Sequence, residues 1–239
     1  AVTPLASRRR AARRRPLVWA AALLVAAAAG AFFWAGPLLA VRDVQVDGVA
    51  TLPAEQVLEA AGVAEGTPLL QVDVDAAARR VAELPQVADV QVVRGWPASV
   101  VVTVVERTPL AVVEEAGRRT LVDADGVPFD TITGPAPQGV VRLEVAEPGP
   151  RDPATRAGLA AVAALPADVR GRVVRVTAGA DGADVVLRLA DGTSVAWGNG
   201  AEPEQKAAVL AGLLQQIDAG RLEPAGTLDV SEPDAVVLR

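Results

Sequence analysis

The chain has 239 residues, 51% of them apolar, and it contains no histidine and no cysteine. These absences exclude thiolate or histidine metal sites, pairs of a nucleophile with histidine, and disulfide bonds. The net charge of −6 conceals an asymmetry, because residues 1–40 hold six arginines and no acidic residue. The rest of the chain is strongly acidic, which argues against non-specific binding to nucleic acid.

The N-terminal segment has the pattern of a membrane anchor. An uncharged run, residues 16–40, follows the arginines and exceeds the ~20 residues that a helix needs to cross a bilayer. Since the positive flank is N-terminal, the positive-inside rule predicts a cytoplasmic tail at 1–15 and an exported body, the type II orientation. Aromatic residues that favour the membrane interface stand near both ends of the run: Trp19, Phe32, Phe33 and Trp34.

A second interpretation of this segment is a cleaved signal peptide. Leu17–Val25 has the length of the short apolar region, and Ala29-Gly30-Ala31 resembles a small-residue cleavage site. The apolar run continues to Leu39, however, as it does in a retained anchor. We therefore predict a single transmembrane helix over residues 16–40.

Residues 41–107 have the pattern of a strand, two helices and two strands. Alternation of apolar and polar residues predicts the first strand, and Val-rich runs around a turn predict a hairpin. Proline at a first helical turn and glycine at a helix end delimit the first helix. The predicted elements are a strand at Val41–Val46, helices at Pro53–Gly62 and Asp75–Leu84, and strands at Val87–Arg94 and Ser99–Glu106.

From residue 108 onward, strands dominate. Asp-Gly turn signals at 125–126, 181–182 and 191–192 separate Val- and Leu-rich runs and predict a mainly antiparallel sheet. Two helices, Asp152–Leu165 and Pro203–Gly220, interrupt it, and the last predicted strand is Ala235–Leu238. We interpret Lys206, the only lysine, as a solvated residue on the polar face of the second helix.

Short motifs in a fixed order give the chain a resemblance to a known family. Val44-Gln45-Val46-Asp47-Gly48, Leu84-Pro85-Gln86-Val87 and Arg94-Gly95-Trp96-Pro97 fall within a β-α-α-β-β unit that resembles a POTRA module. With an N-terminal anchor, this arrangement is similar to the FtsQ/DivIB family of bacterial cell-division proteins. Four further motifs extend the resemblance over nearly the whole chain: Glu106-Arg107-Thr108-Pro109-Leu110-Ala111; Leu121-Val122-Asp123 with Gly126; Asp191-Gly192 with Gly198 and Lys206; and Leu228-Asp229-Val230.

The resemblance implies an α+β fold in which a transmembrane helix precedes a POTRA domain at 41–107 and a β domain with two helices at 108–239. It implies a scaffold without catalytic, metal or cofactor residues, located in the inner membrane at the division septum. The implied partners are the FtsB- and FtsL-like bitopic division proteins and, through them, the septal wall-synthesis enzymes.

The final strand is the predicted docking site within this scaffold. A strand that ends the chain is expected at a sheet edge, where unpaired N–H and C=O groups can accept a strand from a partner. The predicted partner-binding residues are Ser231, Glu232, Ala235, Val236, Val237, Leu238 and Arg239.

Three other interpretations stay open on the sequence alone. A POTRA-containing translocation or outer-membrane assembly factor would use the same module to receive client strands. A wall hydrolase would need two carboxylates and aromatic platforms, and the exported body has few aromatic residues. Asp123-Ala124-Asp125-Gly126 is similar to the start of a calcium loop, although a hairpin turn fits it better.

Overall fold

The computed structural model of the chain describes residues 18–28, 30 and 39–232, and the backbone alone at 237–238. The chain divides into two compact units, Ala1–Glu106 and Arg107–Arg239, called here the N-terminal and C-terminal units. Each unit has its own buried hydrophobic core. The predicted α+β class is confirmed.

The N-terminal anchor prediction falls largely outside the described residues. Residues 18–28 are helical, and the Trp19 side chain there is 75% exposed. No helix within the described ranges combines the length and apolarity required to cross a membrane. Phe32, Phe33 and Trp34 lie outside the described residues.

Between residues 40 and 106, the N-terminal unit contains three strands, two α-helices and a short 3-10 helix. All five predicted elements are present, with no bound shifted by more than two residues. The bounds are β1 at Asp43–Asp47, α1 at Ala54–Ala61, the 3-10 helix at Leu69–Gln71, α2 at Val74–Ala82, β2 at Val87–Gly95 and β3 at Ser99–Glu106.

Local sequence signals explain where the helices begin and end. Pro53 precedes α1, and Gly62 ends it in the left-handed conformation at φ +59°, with its N–H bonded to the Leu58 carbonyl oxygen. The Asp73 carboxylate caps α2 by accepting a hydrogen bond from the N–H of Ala76. Val57 and Ala61 are the buried residues of α1, whereas the neighbouring Leu58 is 37% exposed.

The three strands form one sheet in the order β1-β3-β2. β3 lies in the middle, parallel to β1 and antiparallel to β2. Side chains on one face pack against the two helices, and Val57, Val81, Val100 and Val102 are buried there. Neither α1 nor α2 lies on the opposite face.

Glu106, the last residue of β3, binds the loop that precedes α1. Its carboxylate accepts hydrogen bonds from the N–H groups of Ala50, Thr51 and Leu52 and from the Thr51 hydroxyl. Burial alone would raise the pKa of Glu106, but these hydrogen bonds outweigh it and lower the pKa to about 2. The side chain thus ties the end of the sheet to a loop more than fifty residues earlier.

The C-terminal unit contains nine strands and three helices. The predicted helices and Asp-Gly turns are present, and one short helix, α4, was not predicted. The bounds are β4 at Ala111–Glu115, β5 at Arg118–Val122, β6 at Pro128–Ile132, β7 at Val141–Glu144, α3 at Pro153–Ala164, α4 at Ala167–Arg170, β8 at Val173–Thr177, β9 at Val185–Leu189, β10 at Ser194–Gly198, α5 at Pro203–Asp218, β11 at Thr227–Asp229 and β12 at Val237–Leu238.

The nine strands form one mixed sheet in the order β12-β11-β10-β9-β8-β7-β4-β5-β6. Most neighbours are antiparallel, as predicted, but β4 with β7, β7 with β8, and β10 with β11 are parallel. After one strand of a parallel pair, the chain must return to the end of the sheet at which that strand began. Helices provide this return in two of the three parallel pairs. The helices α3 and α4 lie between β7 and β8 in the chain, and α5 lies between β10 and β11.

The core of this unit lies between one face of the sheet and the helices. Leu159 and Val162 of α3 and Leu210 of α5 pack with buried strand residues such as Leu187 and Trp197. The core therefore holds α5 against the strands that lead to the end of the chain.

Candidate partner-binding edge

The last two strands complete one end of the large sheet. β11 runs parallel to β10, with Val195 opposite Leu228. β12 pairs antiparallel with β11, Leu228 opposite Leu238 and Asp229 opposite Val237. Because β12 is the first strand in the sheet order, its far edge has no neighbouring strand within the described residues. The final strand thus lies at a sheet edge, as the sequence predicts.

The structure describes four of the seven predicted partner-binding residues. Val237 and Leu238 form the outer strand, Ser231 is half-buried, and Glu232 is exposed. The remaining three lie outside the described residues: Ala235, Val236 and Arg239.

Short hydrogen bonds hold the chain where it leaves β11. The Asp229 carboxylate accepts hydrogen bonds from the Ser231 N–H at 3.1 Å and from the Ser231 hydroxyl at 2.7 Å. The N–H of Val230 donates to the carbonyl oxygen of Ala196 at 2.9 Å, and the Val230 side chain is fully buried. The segment that leads to β12 is therefore fixed to β10.

Lys206 lies beneath this segment, and its predicted solvated position is wrong. Only 2% of its surface is exposed. Its ammonium group donates to the carbonyl oxygens of Trp197 and Asn199 at 3.1 and 3.0 Å, and to the Asn199 side-chain oxygen at 3.1 Å. All three ammonium hydrogens have an acceptor, which compensates for burial of the charge.

Two carboxylates act on the charge of Lys206 from the segments beside it. Burial lowers the pKa of Lys206, and the negative charges of Glu232 and Glu202 act in the opposite direction. Glu232 is one of the predicted partner-binding residues, so the buried ammonium group and the chain entering β12 interact electrostatically.

The helical spacing of α5 contained a signal for the burial of Lys206. Lys206 precedes Leu210 by four residues and Leu214 by eight, which places all three on one face of a helix. We predicted a polar face for Lys206 from its charge, whereas the spacing placed it on the apolar stripe.

The lack of a side chain at Gly198 lets the backbone of residue 198 lie close to Ser231. Its φ angle is +77°, a conformation that favours glycine, and a Cβ atom added there would lie 2.8 Å from the Ser231 Cβ. Any side chain at residue 198 would therefore displace the segment that leads to β12.

The predicted turn at Asp123 is confirmed as the connection of a β-hairpin between β5 and β6. Asp123 Oδ1 accepts hydrogen bonds from the N–H groups of Asp125 and Val127, and Oδ2 forms a salt bridge with Arg107. The carboxylate that would begin a calcium loop is thus engaged in holding the turn.

Comparisons with known proteins identify the family. The sequence profile of the FtsQ-type POTRA domain matches residues 39–107, and that of the FtsQ/DivIB C-terminal domain matches residues 111–231. The chain belongs to the FtsQ/DivIB family of cell-division proteins. The β12 strand lies after the matched range.

Curated relatives agree with this assignment. Cell division protein FtsQ of Mycolicibacterium smegmatis is 45% identical over 210 residues, which cover 88% of this chain and 60% of the relative. FtsQ of Streptomyces griseus is 38% identical over 205 residues and is covered over 95% of its length. The chain thus spans about 60% of the mycobacterial relatives that it matches.

The solved structures that are similar include the major extracytoplasmic domain of DivIB from Geobacillus stearothermophilus. The match covers 48% of this chain and 93% of that domain, at 21% identity and a TM-score of 0.35. The family assignment rests on the sequence matches, and it favours a cell-division protein over an outer-membrane assembly factor.

Proposed function

We propose that the chain is a non-enzymatic, bitopic scaffold of the bacterial division machinery that binds FtsB- and FtsL-like partners through β12. The outer position of β12 in the nine-stranded sheet is the observation that carries this proposal. Family membership supports the cellular process, and the free edge supports a mode of binding. Through these partners the scaffold acts on the septal wall-synthesis enzymes.

The binding mechanism is addition of a partner strand to the free edge of β12. Backbone N–H and C=O groups on that edge pair with an extended partner segment and supply affinity, while alternate side chains supply specificity. Ser231, Glu232, Ala235, Val236 and Arg239 flank or extend the strand and act as the side-chain contacts. The hydrogen bonds at Asp229 and the close packing at Gly198 keep the strand in register with β11.

The membrane part of the proposal rests on the sequence. Residues 16–40 span the inner membrane, residues 1–15 remain in the cytoplasm, and residues 41–239 lie outside at the septum. Trp19, Phe32, Phe33 and Trp34 anchor the helix at the two interfaces.

The non-enzymatic part rests on composition and on how the polar side chains are used. The chain has no histidine or cysteine to act as base or nucleophile. Among the described residues, the buried polar or charged residues Asp123, Thr155 and Lys206 are engaged in turns and helix attachments. No chemistry beyond binding is required of them.

The test is recovery of partners by the full chain co-expressed with the FtsB- and FtsL-like proteins of its own organism. Val237→Pro removes a backbone donor and disturbs sheet pairing, so we expect it to abolish co-purification. Thr131→Pro in β6 is the matched control, because β6 is the outer strand at the opposite end of the same sheet.

The control variant should retain its partners. The Thr131 N–H donates to the carboxylate of the preceding residue, Asp130. Proline at residue 131 should therefore destabilise the sheet only slightly. Circular dichroism verifies that both variants remain folded. If folded Val237→Pro recovers the partners as well as Thr131→Pro does, strand addition at β12 is excluded.

A further inference from the structure

The chain is fixed to the N-terminal unit directly after the apolar run. Ala40, the last residue of the predicted transmembrane segment, forms an isolated β-bridge with Pro68. Val41 is buried, its N–H donates to the Thr67 carbonyl oxygen at 2.8 Å, and its own carbonyl oxygen accepts from the Gly66 N–H at 2.8 Å. The folded unit therefore begins where the predicted span ends.

The turn between β2 and β3 lies at the end of the sheet where the chain enters. The strand register places Asp43, Ser99 and Gly95 in one row across the three strands. Beyond this row, the N–H of Arg42 donates to the Ala98 carbonyl oxygen at 2.8 Å. This hydrogen bond holds the turn beside the entering chain.

Trp96, in this turn, is an exposed indole. It is 61% exposed, and the neighbouring Pro97 is exposed as well. Tryptophan is highly buried on average, because its ring contributes a large apolar surface. An indole also combines this apolar body with a polar N–H, and it favours the boundary between hydrocarbon and water. The position of Trp96 is thus unfavourable in water and favourable at a membrane interface.

The short connection to the apolar run places the turn at the depth of the lipid headgroups. The extended chain from Ala40 to Arg42 spans about 7 Å. Each headgroup layer is about 5–8 Å thick, because a bilayer exceeds its ~30 Å hydrocarbon core by about 10–15 Å. We infer that the turn at residues 96–98 contacts the membrane interface through Trp96. This inference rests on the membrane part of the proposed function, in which residues 16–40 are the anchor.

The charges around the turn are compatible with contact to lipid. The turn itself is uncharged, and the exposed ionic side chains beside it are Arg42, Asp43 and Glu65. The guanidinium group of Arg94 lies on the helical side and donates to two main-chain oxygens. Two positive and two negative charges cancel, so no net charge opposes approach to phosphate groups. A connection of about 7 Å leaves little room for a partner protein between the turn and the bilayer.

A second point of contact with the membrane would restrict rotation of the N-terminal unit about the entering chain. β3 begins at Ser99 beside the turn and ends at Glu106. Its eight residues span about 23 Å at about 3.3 Å per residue. With Trp96 at the interface, the chain leaves β3 toward the C-terminal unit at the end of the strand that is remote from the bilayer.

The test measures quenching of Trp96 emission by bromine atoms in the lipid. Three chains carry Trp34→Phe and retain the buried Trp197 as a constant background: the first also retains Trp96, the second retains Trp19, and the third retains neither. Every tryptophan removed is replaced by phenylalanine. Each full chain is placed in phosphatidylcholine nanodiscs, with or without bromine on the acyl chains near the headgroup, and the emission of the third chain is subtracted. We expect Trp96 to lose emission in the brominated lipid.

A control chain moves the indole to the other end of the sheet. It carries Asp89→Trp in addition to the substitutions of the third chain. Asp89 is exposed and lies on β2, about 20 Å along the strand from Gly95. Emission from the indole at this position should be the same in brominated and unbrominated lipid. Circular dichroism verifies that all four chains remain folded.

The outcomes separate this inference from the proposals on which it depends. Quenching of Trp19 without quenching of Trp96 would overturn the inference and leave the anchor in place. Quenching of neither would overturn both the anchor and the inference. Equal quenching at residues 89 and 96 would show that the turn has no specific contact with the membrane, and the inference would be wrong. Val237→Pro should not alter the quenching of Trp96, so the proposal for β12 is tested independently.

Discussion

The ammonium group of Lys206 lies 3.1 Å from the main-chain oxygen of Trp197, and both residues are buried. This contact joins the first turn of α5 to the end of β10. Because β11 pairs with β10, and β12 pairs with β11, the lysine stabilises the edge that we propose as the docking site. Its removal should therefore affect both the stability of the C-terminal unit and the order of its last strands.

Lys206→Met should lower the free energy of unfolding of the C-terminal unit by about 1–3 kcal/mol, because the acceptors at Trp197 and Asn199 lose their donor. Urea unfolding followed by Trp197 emission measures this change in chains whose other three tryptophans are replaced by phenylalanine, since that indole is buried in the folded unit. Gln205→Met is the control, because Gln205 is the exposed neighbour on the same helix. Equal loss in both variants would contradict the role of the buried contact.

Alkaline pH should increase the stability of the C-terminal unit through Lys206 alone. The chain has no histidine, cysteine or tyrosine, so Lys206 is the single side chain that titrates between neutral pH and the range of arginine. Burial holds its pKa below the ordinary 10.5, so the folded unit releases this proton before the unfolded chain does. The free energy of unfolding should rise as the pH passes the folded pKa and approaches 10.5. Lys206→Met should remove this rise in urea titrations at increasing pH.

Gly198→Ala should destabilise the C-terminal unit more than Gly192→Ala does. Both glycines have positive φ angles, +77° and +93°, so both substitutions strain the backbone. Only the Cβ at residue 198 would meet another residue, Ser231 at 2.8 Å, whereas no atom lies within 4 Å of a Cβ at residue 192. We expect about 1 kcal/mol from strain alone at residue 192 and a larger loss at 198. Identical losses in urea unfolding would exclude a contribution from the contact with Ser231.

Glu106→Gln should destabilise the N-terminal unit by about 1 kcal/mol at neutral pH, because the amide accepts fewer and weaker hydrogen bonds than the carboxylate. The amide hydrogens of Ala50, Thr51 and Leu52 should exchange faster in the variant. Glu115→Gln, in an exposed strand end of the other unit, is the control. Unchanged exchange at these three amides would contradict the role of the Glu106 carboxylate in holding the loop at residues 50–52.

The hydrogen bonds of Glu106 also predict that the stability of the N-terminal unit falls in acid. The folded pKa of Glu106 is about 2, below its ordinary value of 4.5, so its contribution is complete above pH 4.5. That contribution decreases as the pH falls from 4.5 and is lost below the folded pKa. The carboxyl chemical shift of Glu106 should titrate near pH 2 in nuclear magnetic resonance spectra, and a midpoint near 4.5 would be inconsistent with the four hydrogen bonds.

The charge asymmetry of the first forty residues predicts an exported body that stays bound to the membrane. A reporter enzyme that is active only outside the cytoplasm, fused after Arg239, should be active and should sediment with membranes. Reversal of the flanking charge, by replacing the six N-terminal arginines with glutamates and adding arginines after residue 42, should reduce the activity. Activity that remains in the supernatant would instead indicate cleavage near Ala31.

Local signals in the sequence were sufficient for the elements and for the family. Pro53 and Gly62 delimit α1, Asp152 caps α3, and the Asp-Gly pairs mark hairpins, because each of these features acts within four residues along the chain. The order of the short motifs was likewise sufficient for the family, since the profiles match the same stretches.

The sequence by itself determined most of the helices and strands, although not α4, and it predicted a strand near residue 238. Only the tertiary structure decided which strands are neighbours, including the parallel pair of β7 and β8 across α3 and α4. It also decided that Lys206 is buried and that Glu106 binds a loop at residues 50–52. The physical reason is that caps and turns depend on residues close in sequence, whereas burial and strand order depend on contacts that the periodicity of a single segment does not encode.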